Sequence, residues 1–375
     1  MNVLILTISA GAGHMKASEA LKEYILSNDS NSKIEIIDTY KYINPVLEKI
    51  LIGGYIKAIK KSPSLFKKLY NHTETDNSLA IVSTKINEIL AFRLLPKIKD
   101  INPDIIISTH PFPNEIMSIL KNYNELKIPT ISLLTDYAPH SFWIRPGIDA
   151  YIISNDEMTY EMTLRGVNKA NIFSYGIPVL PKFTKKYNRQ ELLQSLNLSP
   201  NKKNLLIMGG SLGIGKIIDV YIDLCQIDED IQIIIITGNN KKLFNELKTL
   251  SKTSSKETKV IGYTEDVNKY MQCSDILITK PGGITITEAL ISHTPLALFS
   301  AIPGQEEKNA EFLLKHNLAI TIEDFPTCKD AITSLLHSPN KLKSMKLNCD
   351  KFSKPNCGND IYNLIKKITA QHGDF

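Results

Sequence analysis

Two strand–loop–helix joints in immediate succession constrain this chain more than anything else in it. The stretch Ile276–Phe312, ILITKPGGITITEALISHTPLALFSAIPGQEEKNAEF, reads as a strand (Ile276–Thr279), a glycine turn (Pro281-Gly282-Gly283) and a short helix (Thr285–Ser292). A second strand (Pro295–Phe299), a loop and a helix from Gln305 follow. Strands joined through helices run parallel in one sheet, and such sheets bind ligands beyond the carboxyl ends of their strands. At the first joint the glycines let backbone N–H groups face an anion at a helix N-terminus. Glu288, one turn into that helix, has the reach to accept hydrogen bonds from a sugar diol. Gln305, Glu306 and Asn309 form a polar cluster at the second joint. A phosphate-friendly turn beside hydroxyl-seeking side chains suits a sugar nucleotide. A plain Pro-Gly-Gly turn followed by an acidic helix start fits the same residues.

With 375 residues the chain exceeds one typical core, which implies two domains. Its formal charge of +5, much of it lysine, is too mild for a nucleic-acid binder, and no basic stripe interleaved with aromatics occurs. The five cysteines (Cys225, Cys273, Cys328, Cys349, Cys357) form no C-x-x-C pair, so reduced cytosolic thiols are expected, not a disulfide frame or a zinc site. MNVLILTIS enters a strand directly, without the basic region of a signal peptide. No run of about 18 apolar residues is present to span a membrane, so any lipid contact would be peripheral.

Val3–Ile8 is a continuous apolar run, as in a strand covered on both faces. Gly11-Ala12-Gly13-His14 follows, then a helix over Ala17–Leu26 and an alternating strand over Lys33–Asp38. The dinucleotide fingerprint fails here, because Lys16 occupies the place of its third glycine; NAD is excluded. Between Tyr40 and Thr73 stand seven lysines, Lys57, Lys60, Lys61, Lys67 and Lys68 among them, against the single acid Glu48. Leu47, Ile50, Leu51, Tyr55, Ala58 and Ile59 share one helical side of that segment. Such a segment can lie on an anionic bilayer or pack on a core with its lysines solvated.

Further strands are predicted at Asp104–Thr109, Thr130–Thr135, Ala150–Ser154 and Ile172–Tyr175, with a loop at His110–Pro113 and a helix at Glu157–Arg165. The loop Asp136–Trp143 carries the only tryptophan. Gly176–Gln190, rich in proline and lysine, reads as a linker and sets domains of 1–180 and 181–375. The second series has strands at Leu205–Met208, Gln232–Thr237, Val260–Ile261, Ile276–Thr279, Pro295–Phe299 and Ala319–Thr321, and closes with a helix over Gly358–Ala370. Gly210–Lys216, GSLGIGK, matches seven positions of a P-loop, but Ile217 stands where a magnesium-binding Ser or Thr is needed.

Two glycine-rich turns, after Ile8 and after Met208, each open a separate βα domain, and two such domains facing a cleft describe the GT-B architecture. TKPGGITITEAL and IPGQEEKNA resemble the donor-site motifs of the processive diacylglycerol glucosyltransferases, a group that includes the plant monogalactosyldiacylglycerol synthases. SAGAGH (Ser9–His14), TDYAPHSFW (Thr135–Trp143), GIP (Gly176–Pro178) and the GGSLG turn resemble the same family in the same order, so the similarity runs through essentially the whole chain. The resemblance implies an α/β GT-B fold with an inverting transfer of a hexose from a UDP-sugar, UDP-glucose first, to diacylglycerol. The transfer is processive in the family. It places Gly210 and Ser211 at the pyrophosphate, Ile261 and Gly262 at the uracil, and Gly282, Gly283 and Thr285 at the phosphates. Glu288 would take the ribose hydroxyls, and Gln305 and Glu306, with Asn309 beside them, the hexose. Gly13, His140, Trp143 and the five lysines fall on the acceptor and membrane side. The basic segment at 41–72 becomes a contact with the anionic inner face of the cell membrane.

The attacking hydroxyl needs a base within hydrogen-bond reach. His14 matches the family's proposed base, would titrate near neutrality, and is expected to sit in the loop after the first strand. Asp136, ending a central strand, competes with it, and His110 and His140 have weaker claims. Backbone amides and a helix dipole would meet the leaving-group charge, with no metal or other cofactor. The nearest enzyme alternative is the N-acetylglucosaminyltransferase that completes lipid II, although STHPFP stands where its glycine-rich acceptor motif belongs. A UDP-sugar-sensing protein without turnover is an alternative of another class.

Overall fold

A computed structural model describes residues 1–9, 11–44, 78–209, 216–299, 301–302 and 304–372, with side chains left out over 78–86. The chain divides into two compact units. The first comprises Met1–Pro181, Ile302–Gln305 and Lys354–Phe375, and the second Lys182–Ala301 and Glu306–Ser353.

In the first unit β1 (Asn2–Thr7), α1 (Gly13–Asn28), β2 (Lys33–Asp38) and α2 (Thr39–Ile43) lead to α3 (Ser78–Ile101). Then come β3 (Ile105–Ser108), α4 (Pro111–Asn122), β4 (Thr130–Leu133), β5 (Ala150–Ile152), α5 (Glu157–Leu164) and β6 (Ile172–Phe173). The strands form one sheet in the order β2-β1-β3-β4-β5-β6, parallel throughout. Leu4, Leu6 and Ile106 on its strands pack with Leu94 and Ile98 of α3 and Met117 of α4. Burial on both faces is why these strands read as unbroken apolar runs.

The second unit begins with α6 (Arg189–Ser195) and β7 (Lys203–Met208), then α7 (Ile217–Leu224), β8 (Ile231–Ile236), α8 (Lys241–Leu250) and β9 (Glu257–Ile261). It continues with α9 (Val267–Cys273), β10 (Ile276–Thr279), α10 (Gly283–Ile291), β11 (Leu296–Leu298) and α11 (Gln305–Lys315). It ends with β12 (Ala319–Thr321), α12 (Cys328–Leu336) and α13 (Pro339–Phe352), and α14 (Cys357–His372) follows it in the chain. Its sheet is again parallel, in the order β12-β11-β10-β7-β8-β9.

The last helix corrects the sequence reading. α14 belongs to the first unit, not to the second where its position in the chain suggested. It lies against α1, and Gly358 makes the approach close, because a Cβ there would collide with the ring of Tyr24. A second correction concerns helix starts. α1 opens at Gly13 and not near Ala17, so His14 stands in a helical first turn rather than in a loop. α4 opens at Pro111, since a proline in the first turn gives up an N–H that has no helical partner there. His110 is its N-cap and accepts a hydrogen bond from Phe112 N at 3.1 Å.

All five cysteines are free thiols. Burial raises Cys273 to about 11 and Cys328 and Cys349 to about 12, so these stay protonated and unreactive.

Candidate active site

In the first unit the candidate residues gather where β1, β3 and β4 end. Gly11 turns the chain out of β1 at φ +95°, a left-handed conformation that glycine adopts without strain. Its N–H bonds to Ser9 O at 2.9 Å. Asp38 holds this turn and the next element together, since Oδ2 accepts from Ser9 N at 3.1 Å and Oδ1 from Lys41 N at 3.2 Å. That double duty makes Asp38 a structural residue of this turn.

His14, the second residue of α1, is half-buried. Its Nδ1 lies 2.8 Å from the carbonyl oxygen of Thr109 and 2.9 Å from Thr135 Oγ1. Hydroxyls continue inward from there. Thr109 Oγ1 donates to Thr7 Oγ1 at 2.8 Å and lies 3.1 Å from Ser18 Oγ, which donates to His14 O at 2.9 Å. The His110 ring stands edge-on to His14 with centroids 4.7 Å apart. His14 does not titrate near neutrality as expected. Loss of water around the ring pulls it down to about 4, and the Thr109 carbonyl offsets only part of that shift. Burial, with His14 beside it, also carries His110 well below the ordinary value.

Asp136 follows Thr135 and is half-buried. Its Oδ2 accepts a hydrogen bond at 2.9 Å from Nε2 of Gln305, a residue grouped with the first unit. The structure thus joins a candidate base to a residue assigned to the hexose. Trp143 is fully buried in the first unit's core, its ring centroid 6.5 Å from that of His14. It backs the site and cannot lie against an acceptor, which corrects its expected role. His140 is buried as well and spends Nδ1 on capping the turn at Phe142 N, 3.1 Å away. Gly13 is simply the first residue of α1.

In the second unit the Pro-Gly-Gly turn delivers the chain from β10 to α10. Gly282 is the helix N-cap, and among the described residues no heavy atom lies within 4 Å of where its Cβ would be, so they leave the backbone approachable from that side. Gly283 is buried and Thr285 half-buried in the first turn of the helix. Lys280, which sequence reasoning passed over, is 8% exposed and pairs with Glu306. Asn309 is fully buried and donates Nδ2 to Pro281 O at 3.0 Å, so it braces the turn. Glu288 is also buried, as the sixth residue of α10. The carbonyl of Ile261 already accepts from Thr237 N at 2.9 Å and Thr237 Oγ1 at 3.1 Å, which leaves Gly262, half-buried, as the nearby backbone able to meet a base. Gly210, Ser211, Lys57, Lys60, Lys61, Lys67 and Lys68 lie outside the described residues.

Among the described residues no cluster of three or more His, Cys, Asp or Glu gathers as metal ligands, and no helix is long and apolar enough to cross a membrane.

Comparison with known proteins gives this geometry a family. The profile described as monogalactosyldiacylglycerol (MGDG) synthase matches residues 14–179, and that of the glycosyltransferase family 28 C-terminal domain matches residues 204–361. A processive diacylglycerol beta-glucosyltransferase of Bacillus pumilus is 30% identical over 353 residues, covering 92% of this chain and 89% of the relative. Among solved structures, Acinetobacter baumannii MurG superposes with a TM-score of 0.62 at 15% identity, over 97% of this chain and 99% of the other. Anabaena HepE in complex with UDP-glucose superposes at 0.55 and 12% identity, over 99% of each chain. These two likenesses concern the fold, which is GT-B. The chain belongs to the family of the processive diacylglycerol beta-glucosyltransferases and is a glycosyltransferase.

Proposed function

We propose that this enzyme transfers glucose from UDP-glucose to diacylglycerol with inversion, and can extend the product by further hexoses. The observation that carries the reading is His14, an imidazole in the first turn of α1 at the carboxyl end of a parallel sheet and neutral at physiological pH. A neutral imidazole can take the proton from an attacking hydroxyl, as transfer through an oxocarbenium-like transition state requires. The hydroxyl oxygen then bonds to the anomeric carbon, the bond from that carbon to the β-phosphate oxygen breaks, and UDP departs. The open backbone at Gly282 and the N-terminus of α10 suit the diphosphate's growing charge. Support for the substrates comes from the relative's name and from a like-folded protein that binds UDP-glucose. The proposal includes metal-independent turnover, and attachment to the cytoplasmic face of the membrane through the lysine-rich segment between Tyr40 and Thr73.

The test combines purified protein, anionic vesicles carrying diacylglycerol, and each UDP-hexose, with and without EDTA, and reads the lipids by mass spectrometry. Mono- and diglucosyl-diacylglycerol formed equally well in EDTA is the expected result. Product only with lipid I and UDP-N-acetylglucosamine, or no product at all, would sink the reading. Replacing Lys57, Lys60, Lys61, Lys67 and Lys68 by Gln should weaken vesicle binding, chiefly at low salt.

A further inference from the structure

We propose that Thr135 is a positioning residue for His14. Its hydroxyl and the Thr109 carbonyl together hold the proton of the neutral ring on Nδ1, and so keep Nε2 bare for the acceptor's proton. The inference rests on reading His14 as the base.

Thr109 O only accepts, so at 2.8 Å from Nδ1 it requires a hydrogen on that nitrogen; two facing lone pairs would repel. A neutral imidazole with Nδ1–H has its lone pair on Nε2. Thr135 Oγ1, 2.9 Å from the same Nδ1, then turns a lone pair toward the shared hydrogen. When Nε2 takes a proton, the resulting cation keeps Nδ1–H between two oxygens. Neither oxygen is charged, so they orient the ring while raising its basicity far less than a carboxylate would. The ionisable ring facing His14 is His110, itself kept neutral by burial, and Asp136 adjoins Thr135 in the chain.

The two oxygens are not equivalent as targets. Thr109 is built into the fold, its N–H bonded to Leu6 O at 3.0 Å and its hydroxyl tied to Thr7. Thr135 follows β4 and is 4% exposed, and its hydroxyl can be removed with little change of shape. Sequence alone gives no sign of this role, because a threonine at a strand end is commonplace.

Selective 15N-histidine NMR on the intact protein reads the tautomer directly. The wild type should show His14 protonated on Nδ1 and bare on Nε2; the opposite tautomer overturns the proposal. Thr135→Val should lower the His14 titration midpoint and reduce kcat about tenfold, the rate equivalent of one hydrogen bond, with UDP-glucose KM unchanged. Thr135→Ser should restore both. A Val variant with wild-type midpoint and kcat, or a folded Ser variant that rescues neither, overturns it. His14→Ala is the control. Undiminished turnover there would refute His14 as the base, while the wild-type tautomer still reports on the contact itself.

Discussion

The ammonium of Lys280 lies 3.1 Å from both carboxylate oxygens of Glu306, an ion pair that is largely shielded from water. It joins the end of β10 to the first turn of α11 and fixes the residue expected to hold the hexose. Removing one partner of such a pair leaves a charge stranded, at a cost of about 3–5 kcal/mol, whereas removing both can be nearly neutral. Lys280→Met should therefore lower stability in urea unfolding by about that amount, and Lys280→Met with Glu306→Leu should recover most of it. Both variants should bind UDP-glucose more weakly by calorimetry. Equal instability of the single and double variants would show that the pair contributes nothing of its own.

His14 and Asp136 are separable by turnover. A general base contributes roughly 10²–10⁴-fold to rate. His14→Ala should lower kcat by about that factor and leave UDP-glucose affinity within a few-fold. Asp136→Asn keeps an oxygen for Gln305 Nε2 and should cost much less. The reverse ranking in steady-state assays would transfer the base role to Asp136.

The depressed pKa of His14 has a consequence for acid stability. The ring titrates at about 4 in the folded chain against an ordinary 6.5, so between these values the unfolded chain binds more protons than the folded one. Stability is unaffected above pH 6.5 and falls as pH drops toward 4. At pH 5 this group alone accounts for a loss of about 2 kcal/mol. His14→Gln should lose correspondingly less than the wild type when urea midpoints at pH 7 and pH 5 are compared.

At Gly358 the prediction is steric. An added methyl would meet Cγ and Cδ2 of Tyr24, atoms near the root of a buried side chain that has little freedom to move aside. Gly358→Ala should destabilise by about 1–3 kcal/mol despite alanine's better helix propensity. Thermal unfolding would detect it, and an unchanged Tm would mean that α1 and α14 can part without penalty.

Much of the architecture was legible because buried parallel strands announce themselves. Ile276–Thr279 and Ala319–Thr321 have the bounds their apolar runs suggest. Helix starts were less visible. Ala12 offers no capping side chain ahead of α1, and Pro111 and Pro113 look like loop residues until a histidine caps the turn before them. At the candidate site, His14, Asp136, Gly282 and Glu306 could be picked out from motifs. Lys280, Thr109 and Thr135 could not, since their roles depend on partners 26, 95 and 121 residues away in sequence. The state of His14 was likewise hidden, because burial sets it and no local pattern encodes burial.

The placement of α14 also bears on how the protein is made. Domains generally fold in the order in which they leave the ribosome. Here the unit that emerges first lacks the partner of its opening helix until α14 appears, after the whole of the second unit. Tyr24 and its neighbours on α1 must wait, uncovered, through synthesis of the entire second unit. Premature termination anywhere after Ser353 would thus injure the half of the enzyme that was synthesised earliest.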